Sequence, residues 1–186
     1  MRDDLTNNLV HLTKGIGDDS SKHREEALLT FDTIVSERRL LGNTGFIKGG
    51  YRCVCFSEAP IGKLSYLIAS GADEKFKYQP YGIMVSKKWL FEKGGRPVIY
   101  GPANEFDELP ERFRYRHVRM HLGEYTIDHS WEREWRLRTN VLEFASEEVT
   151  LVVPDRQAKD AIQSQEKEEN WHFIVLSDLG IDISAI

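Results

Sequence analysis

Apolar positions along this chain recur in two rhythms, one of about two residues and one of three to four. Residues 8–14, NLVHLTK, alternate enough to predict a first strand, closed by the turn-forming cluster Gly15-Ile16-Gly17-Asp18-Asp19. From 21 to 41 the rhythm lengthens. Ala27, Leu28, Phe31, Ile34, Val35 and Leu41 fall at helical spacing, with Ser20 and Ser21 as candidate N-caps and Gly42-Asn43 as the stop. Residues 51–57, YRCVCFS, have the β-favouring character of a buried strand ending at Glu58-Ala59-Pro60. A helix over 61–70, a strand over 81–86 and a helical turn over 87–93 follow, then a strand over 97–100 after Gly94-Gly95. The long connection 101–130 holds a predicted helix over 109–122; connections of this length are commonly functional. Strands over 131–137, 148–153 and 171–176 complete the pattern, with a charged helix over 154–169 that has Pro154 at its start. Several connections are too short for a helical crossover. The expectation is one α+β domain over 1–186, with a largely antiparallel or mixed sheet and flanking helices.

The 131–137 segment lies in SWEREWRLR, which puts Glu132 and Glu134 between two tryptophans and among arginines. On a strand, residues i and i+2 share a face, so the two carboxylates would stand about 6 to 7 Å apart. Trp131, Trp135 and Leu137 would then face the core, with Glu132, Glu134, Arg136 and Arg138 opposite. Paired carboxylates suit reactions that pass through a cationic sugar carbon: one stabilises positive charge while the other orients or deprotonates a nucleophile. Glycoside and N-glycoside cleavage are such reactions. The plainer alternative is that both glutamates are solvent-facing partners of Arg136, Arg138 or cross-strand bases.

Other residues carry weaker signals. A strand places His11 and Thr13 on one face, where imidazole and hydroxyl could hydrogen-bond a ribose or carboxamide, or simply satisfy neighbouring backbone. Ser57 and Glu58 close a strand at a position from which they could enter a cleft, or Ser57 could cap the next helix. Cys53-Val54-Cys55 lacks zinc spacing, and His117 and His121 have no further ligands nearby in sequence, so no metal site is predicted. Neither GxGxxG nor GxxxxGK[ST] occurs, so any dinucleotide must be held another way.

Charge changes the picture only locally. The 186 residues carry a formal net charge of −5, which does not announce a nucleic-acid binder. One basic run stands out, RFRYRHVRMH, in which Arg112, Arg114, Arg116 and Arg119 interleave with Phe113, Tyr115, His117 and His121. Arginines among stackable rings suit single-stranded nucleic acid, or form a solvated helix face balanced by Glu105, Asp107, Glu108 and Glu111. Two cysteines, the acidic start and the lack of a long apolar run predict a cytoplasmic chain with no membrane association.

Taken together, HLTKG, VCFSEAP, YGIMVSKKWLFEKGGRPVIYG and WEREWRL resemble the AbiGi-like abortive-infection proteins of bacterial phage defence, distantly similar to DarT-type ADP-ribosyltransferases. The resemblance runs over residues 8–140. It implies an ADP-ribosyltransferase-like fold, a split and largely antiparallel sheet with NAD as substrate in the cleft. His11 and Thr13 would contact NAD, and Ser57 would line the cleft. Glu134 would hydrogen-bond the nicotinamide ribose and stabilise its oxocarbenium ion, while Glu132 would help the acceptor attack. Tyr51, Tyr81 and Tyr100 compete for the ring that stacks on nicotinamide, and the first strand lacks the arginine of toxin-type enzymes.

The resemblance implies NAD-dependent ADP-ribosyl transfer in phage defence or a toxin–antitoxin system. The acceptor would be DNA or RNA if Arg112, Arg114, Tyr115, Arg116 and Arg119 bind it, and protein otherwise. Two other readings stay open: an inactive fold member serving as antitoxin or sensor to a toxin or antitoxin protein partner, and an NAD glycohydrolase in which water replaces the acceptor.

Overall fold

A computed structural model describes residues 6–15, 19, 22–45, 47–63, 78–166 and 169–181. Its centre is a seven-stranded sheet whose strands run, edge to edge, β13-β12-β4-β1-β3-β10-β5. These are β1 (Asn8–Lys14), β3 (Cys53–Ser57), β4 (Tyr78–Ser86), β5 (Arg96–Pro97), β10 (Glu134–Arg138), β12 (Thr150–Val153) and β13 (His172–Val175). Every neighbouring pair is antiparallel except β12 and β13, which are parallel. The chain is therefore α+β with a mostly antiparallel sheet.

Alternation along the strands sorts side chains onto two faces. On one, Leu9, Val54, Phe56, Ile83, Leu137 and Leu151 pack with Phe31, Ile34 and Val35 of helix α1 (His23–Glu37), and with Ile162 of the later helix over Arg156–Gln165. On the other, Val10, Leu12, Met84 and Val152 pack with Ala59 and Leu176, a smaller cluster. The strands β1 and β4 approach closely because position 82 is glycine: a Cβ there would lie 2.4 Å from the His11 carbonyl oxygen. Their register slips between Leu12 and Lys14, the mark of a bulge at Thr13.

Several elements depart from the periodicity. The helical pattern over 21–41 ends at Glu37, because Arg38 turns left-handed (φ 51°) and the chain enters strand β2 (Arg39–Leu41). That strand pairs with β11 (Val141–Glu143), so Leu40 and Leu41 belong to a ribbon. The predicted caps Ser20 and Ser21 lie outside the described residues, as does most of the 61–70 helix, of which 61–63 are helical. Strand β4 begins at Tyr78 and runs through Pro80, three residues earlier than the pattern indicated. It leads into helix α2 (Lys87–Glu92), where the Ser86 side chain accepts the Trp89 N–H at 3.1 Å.

The predicted helix over 109–122 is not one element. Two short helices, α3 (Glu105–Glu108) and α4 (Glu111–Arg114), flank Pro110, which ends the first and opens the second. Strand β7 (His117–Arg119) then pairs in parallel with β6 (Ile99–Gly101), and β8 (His121–Leu122) forms a hairpin with β9 (Thr126–Ile127). The predicted strand over 97–100 is likewise divided: β5 lies on the large sheet and β6 on this small one. Helix α5 (Arg156–Gln165) is shorter than the predicted 154–169 and is capped by Asp155, whose Oδ1 accepts the Ala158 N–H at 2.8 Å.

Candidate active site

The candidate site lies where β1, β3 and β10 run side by side. Strands β1 and β3 share one register position, Val10↔Ser57. Beyond it the His11 ring reaches across, with Nδ1 2.8 Å from the Cys55 carbonyl oxygen. The ring edge meets Phe56 at a centroid distance of 5.8 Å. Burial lowers the His11 pKa, and the Cys55 carbonyl and Lys14 have smaller, opposed effects. The neutral imidazole must donate Nδ1–H to the carbonyl, which leaves Nε2 as an acceptor.

The predicted strand over 131–137 starts later than its letters suggest. Ser130–Glu132 is a single 3₁₀ turn, Arg133 is left-handed at φ 47°, and β10 begins at Glu134. The turn has both local and distant causes. Asp128 Oδ1 accepts both the Ser130 N–H at 2.8 Å and the Ser130 hydroxyl at 2.6 Å. The Ser57 hydroxyl donates to the Glu132 carbonyl at 2.6 Å, and the Glu58 N–H donates to the Arg133 carbonyl at 3.2 Å. A left-handed non-glycine residue costs on the order of 1 kcal/mol and is commonly found at functional sites. Here it stands between the two glutamates. Trp131 accordingly leaves the face expected for it: Trp135 and Leu137 pack on the helix side, Trp131 on the smaller cluster.

Glu134 sits opposite Ser57 across the strand pair, and its backbone N–H donates to the Tyr100 hydroxyl at 3.0 Å. Its carboxylate is gripped at both oxygens by Arg136, with Nε to Oε1 at 2.8 Å and Nη2 to Oε2 at 3.0 Å. The two side chains are 7% and 14% exposed, so this is a buried pair rather than the solvent-facing one of the plainer reading. The Cys55 thiol lies beside the same carboxylate.

Glu132 is different. Burial, and then the negative charge of Glu134, raise its carboxyl to about 7, with Lys14 and Arg136 only partly offsetting them. Two adjacent carboxyl groups thus have unlike surroundings: one is locked to a guanidinium, and the other titrates near neutrality. Burial and the same two glutamates also raise the Tyr78 phenol, while burial is the main cause that brings Tyr100 up to about 12. Both thiols are raised, Cys53 to about 11 and Cys55 further, chiefly by burial.

The remaining predicted residues divide. Thr13 is 2% exposed and donates its hydroxyl to the Tyr81 carbonyl at 3.1 Å, at the bulge in β1. Tyr81 is buried against Phe31 on the helix-covered face, which removes it from the choice of stacking rings. Tyr51 is half-buried, with the Arg138 guanidinium 4.7 Å from its ring centre. Ser57 is engaged at the turn, as donor to Glu132 and as acceptor of the Ala59 N–H at 3.1 Å. Tyr78 is the aromatic that the pattern missed, because Pro80 argues against a strand there. The Lys14 Nζ lies 4.2 Å from its ring centre.

The basic run is largely committed to the chain itself. Tyr115 is buried. Arg114 donates to the carbonyls of Leu109 and Asp107, and Arg116 donates to that of Pro97. Arg119 bonds the Tyr125 hydroxyl, while Arg112 lies over Phe113. The run therefore presents no single stripe of arginines.

A small hollow of about 110 Å³, lined by residues including Asn8, Val10, Ala59 and Met84, opens near the other end of β1, and neither carboxylate lines it. Among the described residues no group of three or more His, Cys, Asp or Glu is placed to hold a metal, and no helix is long and apolar enough to cross a membrane. The chain matches no protein-family model, no curated protein and no solved structure with which it was compared.

Proposed function

We propose that this protein is an NAD-consuming ADP-ribosyltransferase of bacterial phage defence or a toxin–antitoxin system. The single observation that carries the reading is the Glu132–Glu134 pair, in which one carboxylate is held against Arg136 and the other titrates at about 7. Adjacent carboxyl groups in such unlike surroundings are suited to divided acid–base roles.

In this mechanism the bond between C1′ of the ribose and the nicotinamide nitrogen breaks, and nicotinamide leaves with the electron pair. Glu134 accepts a hydrogen bond from the ribose hydroxyl and offsets the charge growing on C1′. Glu132 takes the proton of the incoming nucleophile as that atom bonds to C1′. A base titrating near the working pH is suited to the task. In this reading His11 Nε2 would accept a further sugar hydroxyl, and Tyr51, Tyr78 or Tyr100 would supply the stacking ring. The acceptor would be DNA or RNA if exposed arginines of the basic run such as Arg112 and Arg119 bind a polyanion, and protein otherwise.

The test is incubation with labelled NAD and fractionation of a lysate into protein, DNA and RNA. Label in one fraction, lost in a folded Glu134→Gln variant, is the required result. Full transfer by Glu134→Gln would refute the assignment. Free ADP-ribose in place of labelled acceptor would identify a glycohydrolase.

One observation favours a second reading. Both Glu134 carboxylate oxygens are already engaged by Arg136, which suits a non-catalytic fold member acting as antitoxin or sensor. Calorimetry with NAD separates the two, because that reading requires no heat of binding.

A further inference from the structure

Arg136 is 6% exposed and divides its hydrogen bonds between two parts of the chain. Nε and Nη2 face the Glu134 carboxylate at 2.8 and 3.0 Å. Nη1 faces the opposite way, toward the carbonyls of Tyr115 at 2.8 Å and His117 at 3.1 Å. Those two residues flank Arg116 in the middle of the basic run, where β7 begins. Residues 98–100, at strand β6 beside β7, hold the Glu134 backbone: its N–H donates to the Tyr100 hydroxyl and its carbonyl accepts the Val98 N–H at 2.9 Å.

An ordinary surface ion pair would need none of these carbonyl contacts. A guanidinium presents its donors in a rigid plane, so fixing one edge on two backbone carbonyls fixes the direction of the other edge. We propose that Arg136 is a positioning residue through which the 111–119 segment sets the orientation of the Glu134 carboxylate. The proposal rests on the reading of Glu134 as the residue that stabilises the sugar cation.

Lysine cannot replace this fork. An ammonium in the same place keeps a positive charge but cannot bond both carboxylate oxygens and both carbonyls in one plane. In Arg136→Gln, which removes the charge as well, the groups left beside Glu134 are Glu132, Cys55, Tyr78 and Tyr100, none of them cationic, with Lys14 on the Glu132 side. A carboxylate so surrounded gains affinity for a proton and stops stabilising a cation.

The experiment compares wild type, Arg136→Lys, Arg136→Gln and Glu134→Gln, with Arg138→Gln as the control at an exposed arginine. NAD turnover is measured across pH. The Glu134 side-chain carboxyl ¹³C signal, assigned by its loss in Glu134→Gln, is followed through the same range. In folded Arg136→Lys, kcat should fall about 30-fold or more with KM for NAD changed less than about threefold. In folded Arg136→Gln, which lacks the charge, the acidic limb of the rate profile and the Glu134 titration should both move to higher pH, and Arg138→Gln should move neither. Wild-type kcat in Arg136→Lys, or an unmoved Glu134 titration, would overturn the proposal. Collapse of the fold in both Arg136 variants would also overturn it, because Arg136 would then be a structural staple. If wild type consumes no NAD, the reading of function fails, while the ¹³C titration still decides whether Arg136 governs Glu134.

Discussion

Replacing Glu132 with glutamine should stabilise the protein at high pH and leave it almost unchanged at low pH. The carboxyl is raised from its ordinary 4.5 to about 7 in the fold, first by burial and then by Glu134. Below pH 4.5 the group is protonated in both folded and unfolded chains and favours neither. As pH rises toward 7 the unfolded chain releases its proton while the folded one keeps it, so stability falls with pH and stays lowered above 7. At about 1.4 kcal/mol per pH unit, the interval corresponds to roughly 3 kcal/mol. Glutamine has the same shape and never ionises, so the variant escapes this loss. For a chain of this size the gain at pH 8 is about 5 to 10 °C in Tm. Urea unfolding of both proteins from pH 4.5 to 8 measures it, and groups common to the two cancel in the difference. A difference in stability that stays flat across that range would refute the account of Glu132.

Two further outcomes follow from local geometry. Gly82→Ala drives a methyl into the His11 carbonyl, 2.4 Å from the ideal Cβ position, and should cost about 2 kcal/mol or more in chemical denaturation as β1 and β4 separate. Cys53 and Cys55 should react with a disulfide reagent at pH 8 orders of magnitude more slowly in the folded protein than in urea, since burial raises both thiols, Cys53 to about 11. Fast labelling of the folded chain would contradict that environment.

The large sheet was legible because its strands either alternate or are wholly apolar, and both patterns survive in a single sequence. The first strand has the predicted bounds, Asn8–Lys14. The ribbon of β2 and β11 was not legible: Leu41 keeps the helical spacing of α1, and only the left-handed turn at Arg38 diverts it. The two glutamates were found for a reason that is partly incorrect. A strand was to align them, yet a 3₁₀ turn and a left-handed Arg133 lie between Glu132 and the strand that starts at Glu134. That turn depends on Ser57 and Glu58, more than 70 positions away in the chain, and no local pattern encodes such a contact. The same limit hid the Pro97 carbonyl that Arg116 bonds, whereas Arg114 bonds the carbonyls of Asp107 and Leu109, close by in the chain.

Lys14 offers a way to test the base without touching either glutamate. It is exposed, lies over the Tyr78 ring, and its charge favours the ionised form of Glu132. In Lys14→Gln the Glu132 carboxyl should therefore titrate above its present value of about 7, and a smaller fraction should be available as base at neutral pH. Because Lys14 is exposed, water and salt weaken its influence, so the displacement is a few tenths of a pH unit. Transfer at pH 6.5 should fall about twofold, and the deficit should vanish by pH 9, where Glu132 is ionised in both proteins. High salt should reproduce part of the effect in wild type. A deficit of equal size at every pH would mean that Lys14 acts on the substrate itself, and Glu132 would then lose its place as the proton acceptor.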